Sequence, residues 1–203
     1  MPKVYCIDGI TPVVDPSAFV HPSAVLIGDV IVGPRAYIGP CACLRGDFGR
    51  IVVEAGANIQ DTCMLHGFPG KDTVVGEEAT IGHGAVLHGC VVKRGALIGM
   101  NCVVNDNAEV GEHAVLAAMA FVKAEGRIPP RTLAAGIPAR VLRTLEEREI
   151  GWKNDNTKLY QQLAERSARS MREVEALTAL EPGRKRIDIP GALPLSDLKR
   201  RQA

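Results

Sequence analysis

The stretch Val75–Val122, VGEEATIGHGAVLHGCVVKRGALIGMNCVVNDNAEVGEHAVLAAMAFV, repeats a six-residue pattern. Aliphatic residues stand at Val75, Ile81 and Leu87, then after a shorter step at Val92, Ile98, Val104, Val110, Leu116 and Val122. A second register runs two residues ahead of the first and holds small side chains: Ala79, Ala85, Cys90, Ala96, Cys102, Ala108, Ala114 and Ala120. Period six fits neither an amphipathic helix at 3.6 nor a half-buried strand at 2. It fits a coil with three flat sides, in which each unit turns one corner and three units complete a rung. The large aliphatic and the small residue before it are expected to point inward. Gly or a small polar residue would support the turn in VGEE, IGHG, IGMN and VGEH. Successive rungs would pair in parallel, about 4.8 Å apart.

The pattern reaches back towards the N-terminus through Val14, Val20, Leu26, Val32, Ile38 and Leu44, then Val53, Ile59 and Leu65. Its small register there is Ala18, Ala24, Val30, Ala36, Ala42, Ala57 and Cys63. The expected fold is an all-β solenoid, a single-stranded left-handed β-helix of hexapeptide repeats over residues 1–138. A solenoid cannot leave its last coil open to water, so a cap is required. The segment 134–150, AAGIPARVLRTLEEREI, leaves the period, and residues 154–180 read as helix. Leu159, Leu163, Met171, Val174 and Leu177 would supply its buried stripe. Residues 139–180 are therefore expected to form a C-terminal α-helical cap. Residues 181–203, rich in Pro, Gly and charge, would form an extended tail that crosses a partner subunit or stays partly disordered.

Composition sets the outer bounds. A chain of 203 residues is expected to be one domain. The 24 Lys and Arg against 23 Asp and Glu leave a net charge of +1, which gives no electrostatic case for nucleic acid or an anionic membrane as partner. The start, MPKVYCIDGITP, lacks the basic and apolar regions of a signal peptide, and no apolar run is long enough for a spanning helix. A cytoplasmic address is expected. The six Cys then have no oxidising context. Cys63, Cys90 and Cys102 occupy the small interior position and are expected to be buried, inert thiols, while Cys43 has no assigned orientation. No Cys-x-x-Cys pair supports a thiolate zinc site or a redox dithiol.

Histidine is more informative. His66 follows inward Leu65, and His88 follows inward Leu87. The steps between those leucines are one rung plus a short bulge, so the two imidazoles should leave the same corner on neighbouring rungs. That placement lets both reach one ion, since zinc holds ring nitrogens at about 2.0–2.1 Å. His83 follows Gly82 at another corner, so one chain would struggle to bring all three together. A threefold assembly solves this, with His66 and His88 of one subunit facing His83 of the next. The alternative is that these are surface residues or local hydrogen-bond donors. LHG occurring twice, at 65–67 and 87–89, favours a metal, as do Arg45, Asp47, Asn58, Gln60 and Asp61 nearby. A carboxylate and an amide beside a three-histidine ion would orient its ligands and bound water.

These residues carry a resemblance. Arg45-Gly46-Asp47, Asn58-Ile59-Gln60-Asp61, His66, His83 and His88 resemble the signature of the gamma-class carbonic anhydrases. Within that superfamily the chain is similar to the branch of the phenylacetic acid degradation protein PaaY and its carnitine-operon relative CaiE. The shared stretches are TPVV, FVHPSAVLIGDVIVG, LRGDFGRIVV, GANIQD, HGFP, VLHGC and GMN, and the likeness covers residues 4–187. EPGRKR at 181–186 favours PaaY, whereas NTKLYQ at 156–161 is similar to CaiE. The resemblance implies a homotrimer with zinc, or alternatively Fe2+ or Co2+, held between subunits by His66, His88 and a neighbour's His83. It implies that Arg45 and Asp47 support the site at the interface and that Gln60 and Asp61 position metal-bound solvent. It also implies hydrolysis of phenylacetyl-CoA-type thioesters.

The chain departs from the anhydrase pattern at Phe48 and in the loop GFPGKDT after His66, where proton-handling glutamates would stand. Losing both should lower carbon dioxide turnover, and Phe48 would instead line an apolar entrance for an acyl group. The leading expectation is a zinc-dependent acyl-CoA thioesterase of phenylacetate degradation. Three alternatives stand beside it: a weak gamma-class anhydrase, a CoA-dependent acyltransferase using one histidine as general base, and a CaiE-like accessory protein.

Overall fold

The computed structural model describes residues 2–189. Each hexapeptide contributes a short strand and a tight corner, and the strands stack into the three faces of a prism. The first face holds Met64–His66, Val86–His88, Val103–Val104 and Phe121–Val122, together with the first halves of the long strands Val25–Val32 and Cys43–Val53. The second holds the other halves of those long strands with Thr73–Val75, Val91–Val92, Glu109–Val110 and Arg127–Ile128. Phe19–Val20, Tyr37–Ile38, Asn58–Ile59, Thr80–Ile81, Leu97–Ile98, Val115–Leu116 and Thr132–Ala135 make the third.

Pairing between rungs is parallel, and its register aligns the aliphatic residues. Leu26, Leu44, Leu65, Leu87, Val104 and Val122 form one interior column. Val20, Ile38, Ile59, Ile81, Ile98 and Leu116 form another. The small register fills the space between columns, and Ala85, Ala96, Cys63, Cys90 and Cys102 are all buried in the same core. Three columns converging on one axis leave room for large side chains only at alternate interior positions, which is why Ala and Cys recur there.

The glycine of each turn has a different task from the expected one. A Cβ on Gly99 would stand 2.5 Å from the Ala118 backbone nitrogen, so this glycine permits close stacking of rungs. The residue with left-handed backbone comes two positions later and is Asn101, with φ of 55°. Two loops leave the coil at the corner between the first and second faces. One is built from the RGDFGR segment, the other from residues 67–72, where Phe68 and Lys71 form an antiparallel bridge.

The parallel stack ends where Arg140–Thr144 turns back antiparallel on Thr132–Ala135. The helix Glu147–Ser170 follows and runs back along the third face. Its first turn is anchored by Glu149, whose buried carboxylate accepts from the Glu146 N–H at 3.0 Å and from both terminal nitrogens of Arg143 at 2.7 and 2.8 Å. Farther on, Lys153 meets Glu78, Thr157 meets Thr80, and Ala164 packs with Phe19 and Tyr37. Going from Lys153 to Ala164 lifts the helix by about 16 Å, which matches three rung spacings of about 4.8 Å.

The expected buried stripe is corrected on two counts. The docked side chains are Ile150, Lys153, Thr157, Ala164 and Ser167, and Leu159 and Leu163 are only half-buried. Met171, Val174 and Leu177 lie beyond the helix and are exposed, at 48%, 68% and 62%. The reason is geometric. Phe19–Val20 is the last strand of the third face, so residues past Ser170 have no further face to cover. Residues 171–189 form no helix or strand, and the expectation for 190–203 lies outside the described residues. No helix among the described residues is long and apolar enough to cross a membrane.

Candidate functional site

The ten-residue step between Leu65 and Val75 holds the extra residues of one loop, so Leu87 falls back into line with Leu65 one rung on. The residue after each leucine then points outward at the corner, and His66 pairs in register with His88. Nδ1 of His66 stands 3.1 Å from Nε2 of His88. The other nitrogen of each ring reaches a carboxylate: His66 Nε2 lies 3.1 Å from Asp47 Oδ1, and His88 Nδ1 lies 2.5 Å from Asp106 Oδ1. Arg45 donates to the second oxygen of Asp47 at 2.8 Å. The Thr73 hydroxyl donates to the His66 carbonyl and accepts from the Gly89 N–H, tying the two rungs together beneath the rings.

Electrostatics follow from this line of groups. Burial pushes the Asp47 carboxyl up, but the Arg45 hydrogen bond and charge outweigh it and hold the group below its ordinary range. Burial and then the Arg45 charge hold His66 below the ordinary imidazole value, against the opposing pull of Asp47. With both outer nitrogens carrying hydrogen towards carboxylates, the two inner nitrogens would face each other as lone pairs at 3.1 Å. Such an arrangement favours a proton or a cation between them.

Two rings flank the pair. Phe48, 60% exposed, has its centroid 5.5 Å from that of His66, and Phe68, 47% exposed, meets His88 edge-on at 5.0 Å. An open groove continues between the two loops, lined by Ile10, Asp29, Phe48, Arg50, Pro69 and Asp72.

The other site residues expected from the sequence gather at a different corner, between the third and first faces. His83 Nδ1 lies 2.9 Å from Asp61 Oδ2. Gln60 accepts the His83 backbone N–H at 3.2 Å and donates to Asn58 Oδ1 at 3.2 Å. Asn58 and Gln60 are buried. Among the described residues no group of three His, Cys, Asp or Glu side chains is placed to hold a metal ion. One chain thus brings together Arg45, Asp47, His66 and His88 in one group, and Asn58, Gln60, Asp61 and His83 in another.

Sequence reasoning missed Asp106, Thr73 and Phe68. Asp106 was not marked by the register, since the short step before Val92 sets Leu87 opposite Val104 and puts Asp106 one residue past the position in line with His88. The interior thiols are inert as expected: burial pushes Cys63 up to about 11 and Cys90 up to about 12.

Comparison with known proteins places this architecture. The bacterial transferase hexapeptide family, of six repeats, matches residues 89–124. The carnitine operon protein CaiE of Escherichia coli O81 (strain ED1a) is 55% identical over 183 residues, spanning 90% of this chain and 93% of the relative. The chain belongs to the CaiE family. Its solved relatives include a putative acetyltransferase of Bacillus cereus, 33% identical with a TM-score of 0.80, covering 81% of this chain and 96% of that one. A hexapeptide transferase family protein of Anaplasma phagocytophilum is 36% identical with a TM-score of 0.78, covering 80% and 96%.

These findings correct three expectations. The identity with CaiE overturns the placement on the PaaY side, so NTKLYQ was the better guide than EPGRKR. Phenylacetate degradation has no support once that placement falls. The zinc-dependent thioesterase is overturned as well, because the solved relatives are called transferases and no three-ligand cluster occurs among the described residues. The placement of His83 at another corner than His66 and His88 is the one the sequence led to expect, and it plays no part in this correction.

Proposed function

We propose that this protein is a CoA-thioester-dependent acyltransferase whose general base is the His66–His88 pair. The observation that carries this reading is the line Asp47–His66–His88–Asp106, in which each imidazole has one nitrogen on a carboxylate and the other turned towards its partner. Carboxylates set the tautomer of each ring and steady the imidazolium, as a general base requires. The B. cereus and A. phagocytophilum relatives, by their names, support transfer over hydrolysis.

The chemistry balances without further reagents. An acceptor hydroxyl or amine gives its proton to the imidazole pair, and its lone pair attacks the thioester carbonyl carbon. The tetrahedral adduct then breaks its C–S bond, and the departing CoA thiolate takes the proton from the imidazolium. Phe48 and Phe68 form an apolar wall that keeps water from competing with the acceptor.

Three copies are proposed to build the complete site. The first face carries Cys43, Met64, Val86, Val103 and Phe121 outward, and Met100 and Met119 are 52% and 61% exposed along the His83 corner. That apolar stripe suits contact with another copy. Threefold closure would set the Asn58, Gln60, Asp61 and His83 corner of one subunit against the histidine pair of the next.

The same two lone pairs fit a divalent cation as an alternative occupant, and with it bound they no longer take the acceptor's proton. A tetrahedral zinc at about 2.0–2.1 Å from each nitrogen holds them roughly 3.3–3.4 Å apart, close to the 3.1 Å between His66 and His88. The carboxylates on the outer nitrogens are the usual partners of metal-bound imidazoles. His66, His88 and a neighbour's His83 would hold the ion, with Fe2+ or Co2+ as substitutes. When bound, such an ion would supply Lewis acidity to the acyl oxygen.

An acyl-CoA panel offered with amine and alcohol acceptors tests the function. Carnitine belongs among the acceptors because the 55% identical relative is a carnitine operon protein. Transfer above the hydrolysis background, lost in His66→Ala and His88→Ala, is the expected result. Absence of transfer across the panel by a folded, assembled protein would overturn the reading in favour of a non-enzymatic role.

A further inference from the structure

The third face and the helix that covers it share a buried polar seam. Thr157 donates its hydroxyl hydrogen to the Lys153 carbonyl at 3.2 Å, one turn back in the helix. Its oxygen is then left to accept, and the Thr80 hydroxyl stands 3.3 Å away. Thr80 in turn accepts from Asn58 Nδ2 at 3.0 Å. With its nitrogen committed there, Asn58 presents Oδ1 to Gln60 Nε2 at 3.2 Å. Gln60 then presents Oε1 to the His83 backbone N–H, also at 3.2 Å.

Every donor in this series points the same way, from His83 towards the helix. The direction is forced. Turning the Gln60 amide over would set its NH2 against the His83 N–H, donor against donor, and turning Asn58 over would do the same against Gln60. Thr157, Asn58, Gln60 and Thr80 are exposed by only 2%, 1%, 6% and 7%, so water cannot replace a missing member. Bonds in such a chain polarise one another and act together.

We propose that the C-terminal helix sets the His83 corner through this chain, and that Thr157 is a positioning residue for Gln60 and His83. The helix therefore does more than cover the solenoid. The His83 N–H sets the sense of the series, and the Thr157 hydroxyl, by accepting at its helix end, completes the bonds that hold Gln60 and the backbone at His83, beside the Asp61 contact that orients the ring. The catalytic meaning of this corner rests on the acyl-transfer reading, but the chain itself does not.

Thr157→Val keeps the shape of the side chain and removes the hydroxyl, whereas Thr157→Ser keeps the hydroxyl. Hydrogen exchange of the His83 amide in the full-length 15N-labelled protein reads the far end of the chain. Exchange should quicken by about two- to tenfold in Thr157→Val, the effect of weakening one hydrogen bond, and return to the wild-type rate in Thr157→Ser. The Tyr160 and Gln161 amides report helix docking and should not change. Wild-type exchange at His83 in Thr157→Val would overturn the proposal. So would equal quickening at His83 and in the helix, because Thr157 would then only dock the helix. Acyl transfer should fall and recover with the same two variants. If the wild type transfers nothing, the functional reading fails while the exchange result still decides the chain.

Discussion

His88 lies opposite His66 in parallel register, and the carboxylate that orients it, Asp106, comes from the rung beyond. Four successive turns of one corner, carrying Asp47, His66, His88 and Asp106, thus supply a pair of rings with a carboxylate on each. A single substitution can break the line without touching the core, because Asp106 is outside it. Asp106→Asn should reverse or free the His88 tautomer and lower kcat for acyl transfer by about a hundredfold or more. Unfolding stability should stay within about 0.5 kcal/mol of wild type. Undiminished kcat in this variant would mean that His88 takes no part in proton transfer.

The facing nitrogens of the same pair make a prediction about metal. Protein purified without chelators and analysed by elemental methods should carry about one zinc per chain if the three-histidine arrangement forms between copies. His66→Ala, His88→Ala and His83→Ala should each lose most of it. Loss in the first two alone would place the ion on one subunit. Metal-free wild type that still binds no added zinc would leave a shared proton as the occupant of the gap.

Position in the repeat predicts the cost of core changes. Ile98 points into the coil and is fully buried, while its neighbour Leu97 faces outward and is half-buried. Ile98→Ala should cost about 2–5 kcal/mol in urea unfolding, from lost burial and the cavity left behind. Leu97→Ala should cost about 1 kcal/mol. Equal losses would contradict the inward register.

That register was legible because the interior admits so few side chains. Ala85, Leu87, Ala96 and Ile98 recur at fixed spacing, and the spacing alone put His66 and His88 on adjacent rungs. The helix was read less well because its docked face is chemically unusual. Lys153, Thr157 and Ser167 look like solvent-facing residues, yet all three are buried, with Lys153 on Glu78 and Thr157 on Thr80. Leu177 and Val174 mimic a continuing stripe but lie past the last strand. Asp106 was overlooked for a different cause: the rung after His88 is one residue short, so the interval marks Asn105 and the partnership appears only when the coil is wound. Family placement turned on two short motifs of different standing: NTKLYQ lies in the docked helix, whereas EPGRKR lies exposed beyond it.

Lys153 gives the fold a pH dependence. It is 3% exposed, its ammonium donates to the Glu78 carbonyl at 2.5 Å, and burial pulls its pKa down to about 7 against the Glu78 charge. Of its other charged surroundings, His113 is also held low, mainly by burial, and so is neutral above pH 7. An unfolded lysine titrates near 10.4. Between these values the unfolded chain binds the extra proton, so stability rises with pH from about 7 and the gain is lost on acidification. Urea unfolding should show an increase of about 1 kcal/mol from pH 7.0 to 8.0. Stopping at 8.0 limits the opposite contribution of Cys43, Cys63, Cys90 and Cys102, whose raised values make stability fall once unfolded thiols ionise near about 8.5. Lys153→Met should flatten the slope, and an unchanged slope would assign it to another group.

The separation of His83 from His66 and His88 makes the strongest test of the assembly. A trimer should run near three times the 21.7 kDa chain. His66→Ala breaks the histidine-pair side of every site, and His83→Ala breaks the opposing side. Each variant alone should be inactive if a site needs both. Mixed and exchanged in equal amounts, a given interface pairs an intact His66 side with an intact His83 side in about one quarter of cases. Recovery of about a quarter of wild-type transfer is therefore expected. Tagged subunits can show by mass analysis that hybrids formed, and wild-type chains exchanged under the same conditions show that mixing preserves activity. Verified hybrids with no recovery would remove His83 from the partner's site. Substantial transfer by the His83→Ala trimer alone would show that the Asp47–His66–His88–Asp106 line suffices within one subunit.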